Sequence, residues 1–181
     1  MAEFHVITQE SVLYRINSKI YKFNEIPKID IRLFAASQGL NISEDGKTLT
    51  CYKAVEKDGD VHRSWFDNDF VWKIGEYACS EKLDPSILNE CSYGLHGCSI
   101  QNAFKFGFNS FPKCDSILEL KVDISDPNNY VVPYRTIGSY FSDVVELGLP
   151  DKFRFKKCFV AREVKIENCL LDPATGHKYR L

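Results

Sequence analysis

Short apolar runs separated by turn-forming clusters dominate this chain, and most of the runs have the period-two alternation of strands. Val12-Leu13-Tyr14-Arg15-Ile16 and Ile20-Tyr21-Lys22-Phe23 flank Asn17-Ser18-Lys19, so residues 11–24 read as a β-hairpin. Beyond Pro27 the spacing turns helical: Ile29, Leu33 and Ala36 share a face and Gly39 is the stop. A second hairpin runs from Leu40-Asn41-Ile42 through Glu44-Asp45-Gly46, whose Asp-Gly pair suits a tight primed turn. It returns along residues 49–55 to the turn Lys57-Asp58-Gly59-Asp60. Short strands are expected at 61–66 and 70–74, while 76–90 reads as a loop or as a helical turn started by Asp84-Pro85.

Farther on, residues 117–123 alternate as a strand, Asp126-Pro127-Asn128-Asn129 turns the chain, and 130–133 form a short strand ending at proline. Ile137, Tyr140, Phe141, Val144 and Val145 fall at helical spacing, so residues 136–147 are expected to be a helix stopped by Gly148 and Pro150. Residues 153–171 carry the longest β pattern. The fold class is therefore α+β: a mostly antiparallel, twisted sheet with two or three short helices. A hairpin–helix unit occupies residues 1–39, the main domain 40–171, and an exposed basic tail 172–181.

One stretch stands apart. Cys91-Ser92-Tyr93-Gly94-Leu95-His96-Gly97-Cys98-Ser99 gathers two cysteines, a histidine and two glycines just before a short helical pattern. Ser99 is placed to cap that helix, with Asn102 where a capping-box partner would stand. Ile100, Ala103 and Phe104 give it one apolar face, and Gly107 is expected to end it as a left-handed cap. Gly94 and Gly97 let the backbone bend or be closely approached on either side of His96. The ring then lies near a helix N-terminus, which favours a neutral imidazole or a bound anion.

Composition narrows the functional classes. A net charge of −2 gives no electrostatic reason to expect nucleic acid as a partner. No apolar stretch approaches the ~20 residues of a membrane-spanning helix, and Met1-Ala2-Glu3-Phe4-His5 does not open as a secretory signal does. Seven cysteines without a repeating framework suit a reducing cytoplasm better than a disulfide scaffold.

Several pieces in order, namely Ile42-Ser43-Glu44-Asp45-Gly46, Tyr52-Lys53-Ala54-Val55, the Cys91 to Ser99 stretch, Phe106-Gly107, Leu118-Glu119-Leu120-Lys121-Val122, Val131-Val132-Pro133 and Lys157-Cys158-Phe159-Val160-Ala161-Arg162-Glu163-Val164, carry a resemblance. Over roughly residues 40–165 the chain resembles the C-terminal part of the rIIB-like proteins of T-even bacteriophages. The Gly-Leu-His-x-Cys core is the most specific element, and an insert around residues 134–152 departs from the pattern. The resemblance implies a phage accessory protein in the cytoplasm of the infected host. It would act by binding a host protein and counteract a host defence or exclusion system; no chemistry comes with it. A structural virion component is a further alternative.

Four chemistries are open to the residues themselves. Cys91, His96 and Cys98 are soft zinc ligands, but Cys-x4-His-x-Cys is not a finger or ribbon spacing, which favours ordinary buried thiols over zinc. Cys98, beside a helix start, has the setting of an activated thiol with His96 as base. The order of features also resembles an ADP-ribosyltransferase-like fold. That resemblance implies NAD or another nucleotide as ligand, His96 on the nicotinamide side, Tyr52 and Lys53 with Gly94 and Ser99 around the ligand, and Glu163 as the catalytic acid. Finally, Phe66, Phe70, Trp72, Phe106, Phe108 and Phe111 would anchor a protein interface if exposed, and fill the sheet core if not.

Overall fold

Asn17 and Ser18 both take left-handed backbone angles, φ 47° and 67°, which makes the first hairpin a two-residue primed turn matched to strand twist. The computed structural model describes residues 12–64, 67, 69–110, 114–140 and 144–164. Strands β1 (Leu13–Ile16) and β2 (Lys19–Tyr21) form that hairpin, and helix α1 (Ile31–Gln38) follows. Then come β3 (Thr48–Asp58), β4 (Val61–Arg63), β5 (Val71–Trp72), β6 (Tyr77–Cys79) and β7 (Leu95–Cys98). Helix α2 (Ile100–Phe104) runs into a π-helical turn (Lys105–Ser110). The chain continues through β8 (Ser116–Asp123), β9 (Tyr130–Val131), β10 (Arg135–Tyr140), β11 (Val144–Gly148), β12 (Lys152–Phe155) and β13 (Lys157–Val164).

Among the described residues the strands form two sheets, predominantly antiparallel, and with two short α-helices they make an α+β fold. The larger sheet runs β6-β13-β8-β3-β7-β12-β9, with β4 and β5 carried on the far end of β3. The smaller runs β10-β11-β1-β2, and its one parallel pair is β1 with β11. The hairpin of the N-terminal unit and the strands of residues 135–148 thus belong to one sheet.

Helix α1 starts where Asp30 accepts from the Arg32 and Leu33 amides at 2.6 and 3.3 Å, and ends at Gly39 with φ 63°. It buries Ile31, Phe34 and Ala35, and the Phe34 ring meets Phe153 of β12 at 5.4 Å. Alternation along β3, β8 and β12 sends Leu49, Cys51, Val55, Leu118, Leu120, Val122, Phe153 and Phe155 into this main core. Each fully buried Leu or Phe contributes roughly 2–3 kcal/mol. The opposite face carries a smaller core of Cys98, Ala103, Phe104, Ile117 and Val164, covered by α2.

Two expectations are corrected. Residues 136–147, read as a helix, are strands β10 and β11. Thr136, Ile137, Val144 and Val145 are β-branched, and β1 offers β11 a parallel partner that helical spacing could not reveal. Gly107 is no left-handed cap either: helical winding continues through it, and a Cβ there would run into the Ala54 side chain. The 76–90 segment is irregular apart from β6. The tail 172–181, Phe66 and Phe111 lie outside the described residues.

Candidate functional site

The 91–99 stretch becomes β7 and the start of α2, and its chemistry is decided by what β12 lays beside it. In the antiparallel β7–β12 pair, His96 stands opposite Arg154 and Cys98 opposite Lys152. Directly opposed residues share a face, so His96, Arg154, Cys98 and Lys152 line one side of the sheet. The sharp turn into β7 uses Gly94 at φ 127°, an angle closed to side chains. Gly97 has ordinary backbone angles but no room: its Cβ would stand 2.5 Å from Cys51 Sγ and 3.0 Å from Phe155 Cε1.

His96 is half-buried, and its Nε2 is hidden from solvent with no hydrogen-bond partner. Burial, helped by the positive charges of Lys53, Lys152 and Arg154, pulls its pKa down from 6.5 to about 3. The ring is therefore neutral at physiological pH. Lys53 itself sits over the Trp72 ring at 6.0 Å, and burial pulls its ammonium below the ordinary lysine value. Lys152 reaches Cys91 Sγ at 2.9 Å and the Phe106 ring at 5.6 Å. Arg154 is fully buried and donates to the carbonyls of Asp84 (3.1 Å), Ser86 (2.5 Å) and Asn89.

Ser99 caps α2 as read, its Oγ accepting from the Asn102 amide at 3.3 Å. Asn102 is no capping-box partner: its amide nitrogen donates to Gln38 Oε1 at 2.9 Å and to the Asp151 carbonyl at 3.2 Å. That ties α2 to α1 and to the start of β12. Tyr52 pairs with Cys98, whose Sγ donates to the Tyr52 carbonyl at 3.6 Å.

Cys98 reverses an expectation. Burial pushes its thiol up to about 12, against the lowering expected of a helix start. A five-residue helix supplies little dipole, and desolvation wins. Among the described residues, no group of three or more His, Cys, Asp or Glu side chains is placed to hold a metal. Cys91 is exposed and tied to Lys152 while Cys98 points to the Tyr52 carbonyl, so the two thiols have separate partners.

Glu163 is not with His96. It aligns with Leu118 and through it with Lys53, whereas Arg162 aligns with Glu119 and through it with Tyr52, the partner of Cys98. Alternation thus sets Glu163 and His96 on opposite faces, and three strand spacings of about 4.8 Å separate their strands. Glu163 instead gathers Lys57 Nζ (2.7 Å), Ser116 Oγ (2.9 Å) and His62 Nε2 (3.4 Å). The last is a contact, not an aligned hydrogen bond: His62 Nε2 and Trp72 Nε1 beside it are buried without a hydrogen-bond partner. Burial acts to raise the Glu163 pKa, and the hydrogen bonds from Lys57 and Ser116 outweigh it and hold the carboxyl below its ordinary value.

Sequence reasoning missed Lys152, Arg154, Lys57, His62 and Ser116. It also read the aromatics differently from their placement: Trp72 is buried, Phe70 is half-buried edge-on to it at 5.1 Å, and Phe106 packs on the smaller core. Among the described residues, the large apolar side chains most open to solvent are Tyr93, Tyr77, Ile137 and Leu33. No described helix is long and apolar enough to cross a membrane. The chain matches no family model, no curated protein and no solved structure.

Proposed function

We propose that this chain works by binding rather than by catalysis, and that the His96 side of the β7–β12 pair is its contact site for an anionic small molecule of the nucleotide class. One observation carries the reading: His96 keeps a buried, unpartnered Nε2 on the face of the sheet that it shares with the cationic Lys152 and Arg154. A buried polar atom without a partner costs about 1–3 kcal/mol. A ligand that hydrogen-bonds to it and brings negative charge toward Lys152 and Arg154 removes that cost and relieves the mutual repulsion of the cations.

Setting and role come from the resemblance of the 91–99 stretch: a phage accessory protein in the infected host's cytoplasm, acting on a host protein to counteract a defence or exclusion system. The rival reading, an ADP-ribosyltransferase-like enzyme, needs Glu163 and His96 on one ligand, and their opposite faces favour binding. A thermal-shift screen with NAD, ADP-ribose and pyrophosphate tests the proposal, with His96→Ala as control. Binding to the native state alone adds about 2.7 kcal/mol of stability at a hundred times the dissociation constant. A shift lost in His96→Ala supports the site; no shift with any of the three overturns it. Release of nicotinamide from NAD, abolished in Glu163→Gln, would instead establish the enzyme.

A further inference from the structure

We propose that residues 80–93, between β6 and β7, form a strap latched over His96 by the buried Arg154 guanidinium, and that release of this latch is the way into the His96 site. The inference extends the binding reading, and rests on it only for what enters; the latch itself stands on the fold.

Arg154 and His96 are cross-strand neighbours on one face, so whatever Arg154 holds lies beside the imidazole. What it holds is the strap. Its guanidinium donates to three strap carbonyls, those of Asp84, Ser86 and Asn89. An arginine with no exposed surface usually meets a carboxylate; here the hydrogen bonds from it among the described residues all go to backbone carbonyls of one segment.

The strap has no helix or strand of its own. Residues 84–93 of it are closed into an Ω-type loop by the Asp84 amide donating to the Tyr93 carbonyl at 3.0 Å. Elsewhere it is tied by the Tyr134 amide donating to the Ile87 carbonyl at 2.6 Å, by the Ser80 amide donating to the Lys156 carbonyl at 2.8 Å, by Lys152 reaching Cys91, and by Ile87 and Leu88, which rest half-buried against the main core. Leu83 closes over Gly94, where a Cβ would stand 2.8 Å from its Cδ1. A segment with so few ladder bonds opens at lower free energy than the core strands. Because three of its carbonyls depend on one side chain, it opens as a unit when that side chain lets go. The hidden Nε2 of His96 is the signature of the latched state.

Acylation by diethyl pyrocarbonate, mapped by mass spectrometry, reads the accessibility of each histidine. The reagent attacks neutral imidazole, and His96 is neutral at pH 7, so its protection reports cover and not charge. In the wild-type protein His96 is expected to react at least about tenfold more slowly than N-acetylhistidine. In Arg154→Met and Arg154→Lys its rate is expected to rise at least about tenfold, together with amide exchange of residues 81–93, while β8 amides stay as protected as before. Reaction of wild-type His96 at the model-compound rate overturns the proposal, and so do Arg154 variants that fold but leave both rates unchanged.

If neither variant folds, the wild-type protein decides through urea below its unfolding transition. A latched strap makes His96 acylation rise with a much shallower urea dependence than exchange of the β8 amides. Acylation that tracks those amides means that His96 is exposed only by global unfolding, which overturns the strap. Neither arm contains a ligand, so a silent nucleotide screen and a failed latch are separate results.

Discussion

Replacing Gly97 by alanine tests how tightly the floor of the His96 site is packed. The added Cβ would stand 2.5 Å from Cys51 Sγ, 3.0 Å from Phe155 Cε1 and 3.3 Å from Cys51 Cβ. Ordinary carbon contacts lie at about 3.5–4.0 Å, so the sulfur has to retreat by roughly 1 Å. Cys51 and Phe155 are both fully buried, and neither can retreat into solvent. Overpacking of this kind costs about 1–3 kcal/mol. Urea denaturation of Gly97→Ala should show a lower midpoint at unchanged slope. Cys51→Ala removes the colliding sulfur and by itself costs roughly 1–2 kcal/mol as a small cavity. In the double variant the new methyl enters that cavity, so its loss should fall below the sum of the single losses by about 1 kcal/mol or more. Rescue stays incomplete, because the Phe155 contact at 3.0 Å remains. A Gly97→Ala midpoint within about 0.5 kcal/mol of wild type, or strict additivity in the double variant, would refute the reasoning.

Stability should fall as pH drops from 6.5 toward 3, because His96 binds a proton readily only when unfolded. The native pKa is depressed, so the contribution is present above pH 6.5 and is lost at up to about 1.4 kcal/mol per pH unit in that window. Carboxylates held low in the native state, such as Glu119 and Glu163, act in the same direction, so the measurement is the difference in pH slope between wild type and His96→Gln. Equal slopes for the two proteins would exclude a buried neutral His96. Alkylation of the native protein at pH 8 should label Cys79 and Cys91 and spare Cys51, Cys98 and Cys158, whose thiols burial pushes upward, Cys98 and Cys158 to about 12. Peptide mapping reads this directly, and rapid labelling of Cys98 would restore it as a candidate nucleophile.

What was legible in the sequence was local. Asn17-Ser18 between alternating runs announced a hairpin because few residues accept two left-handed positions in succession. Gly39 stops α1 for the same reason, and Ser99 caps α2 because its hydroxyl reaches an amide three residues on. The sharp bend and close packing on either side of His96 were legible too, from Gly94 and Gly97. The partners that set its chemistry were not. In Lys152-Phe153-Arg154-Phe155 the alternation reads as a strand with charges facing water, yet Arg154 is as buried as the phenylalanines. Only the carbonyls of the strap, some seventy residues earlier, make that burial tolerable.

Periodicity misled at residues 136–147, where apolar residues at helical spacing also suit two paired strands. The choice was made by β1, far away in sequence, which gives β11 a hydrogen-bonded neighbour. The Glu163 cluster is similar: Lys57, His62 and Ser116 lie on β3, β4 and β8, and only strand register brings them to one carboxylate. The sequence by itself determined turns, caps and the faces of strands, because φ, ψ and side-chain alternation are properties of neighbouring residues. Tertiary structure alone decided which charges are buried and which titratable groups meet, because desolvation and hydrogen bonding depend on strands brought together from distant parts of the chain.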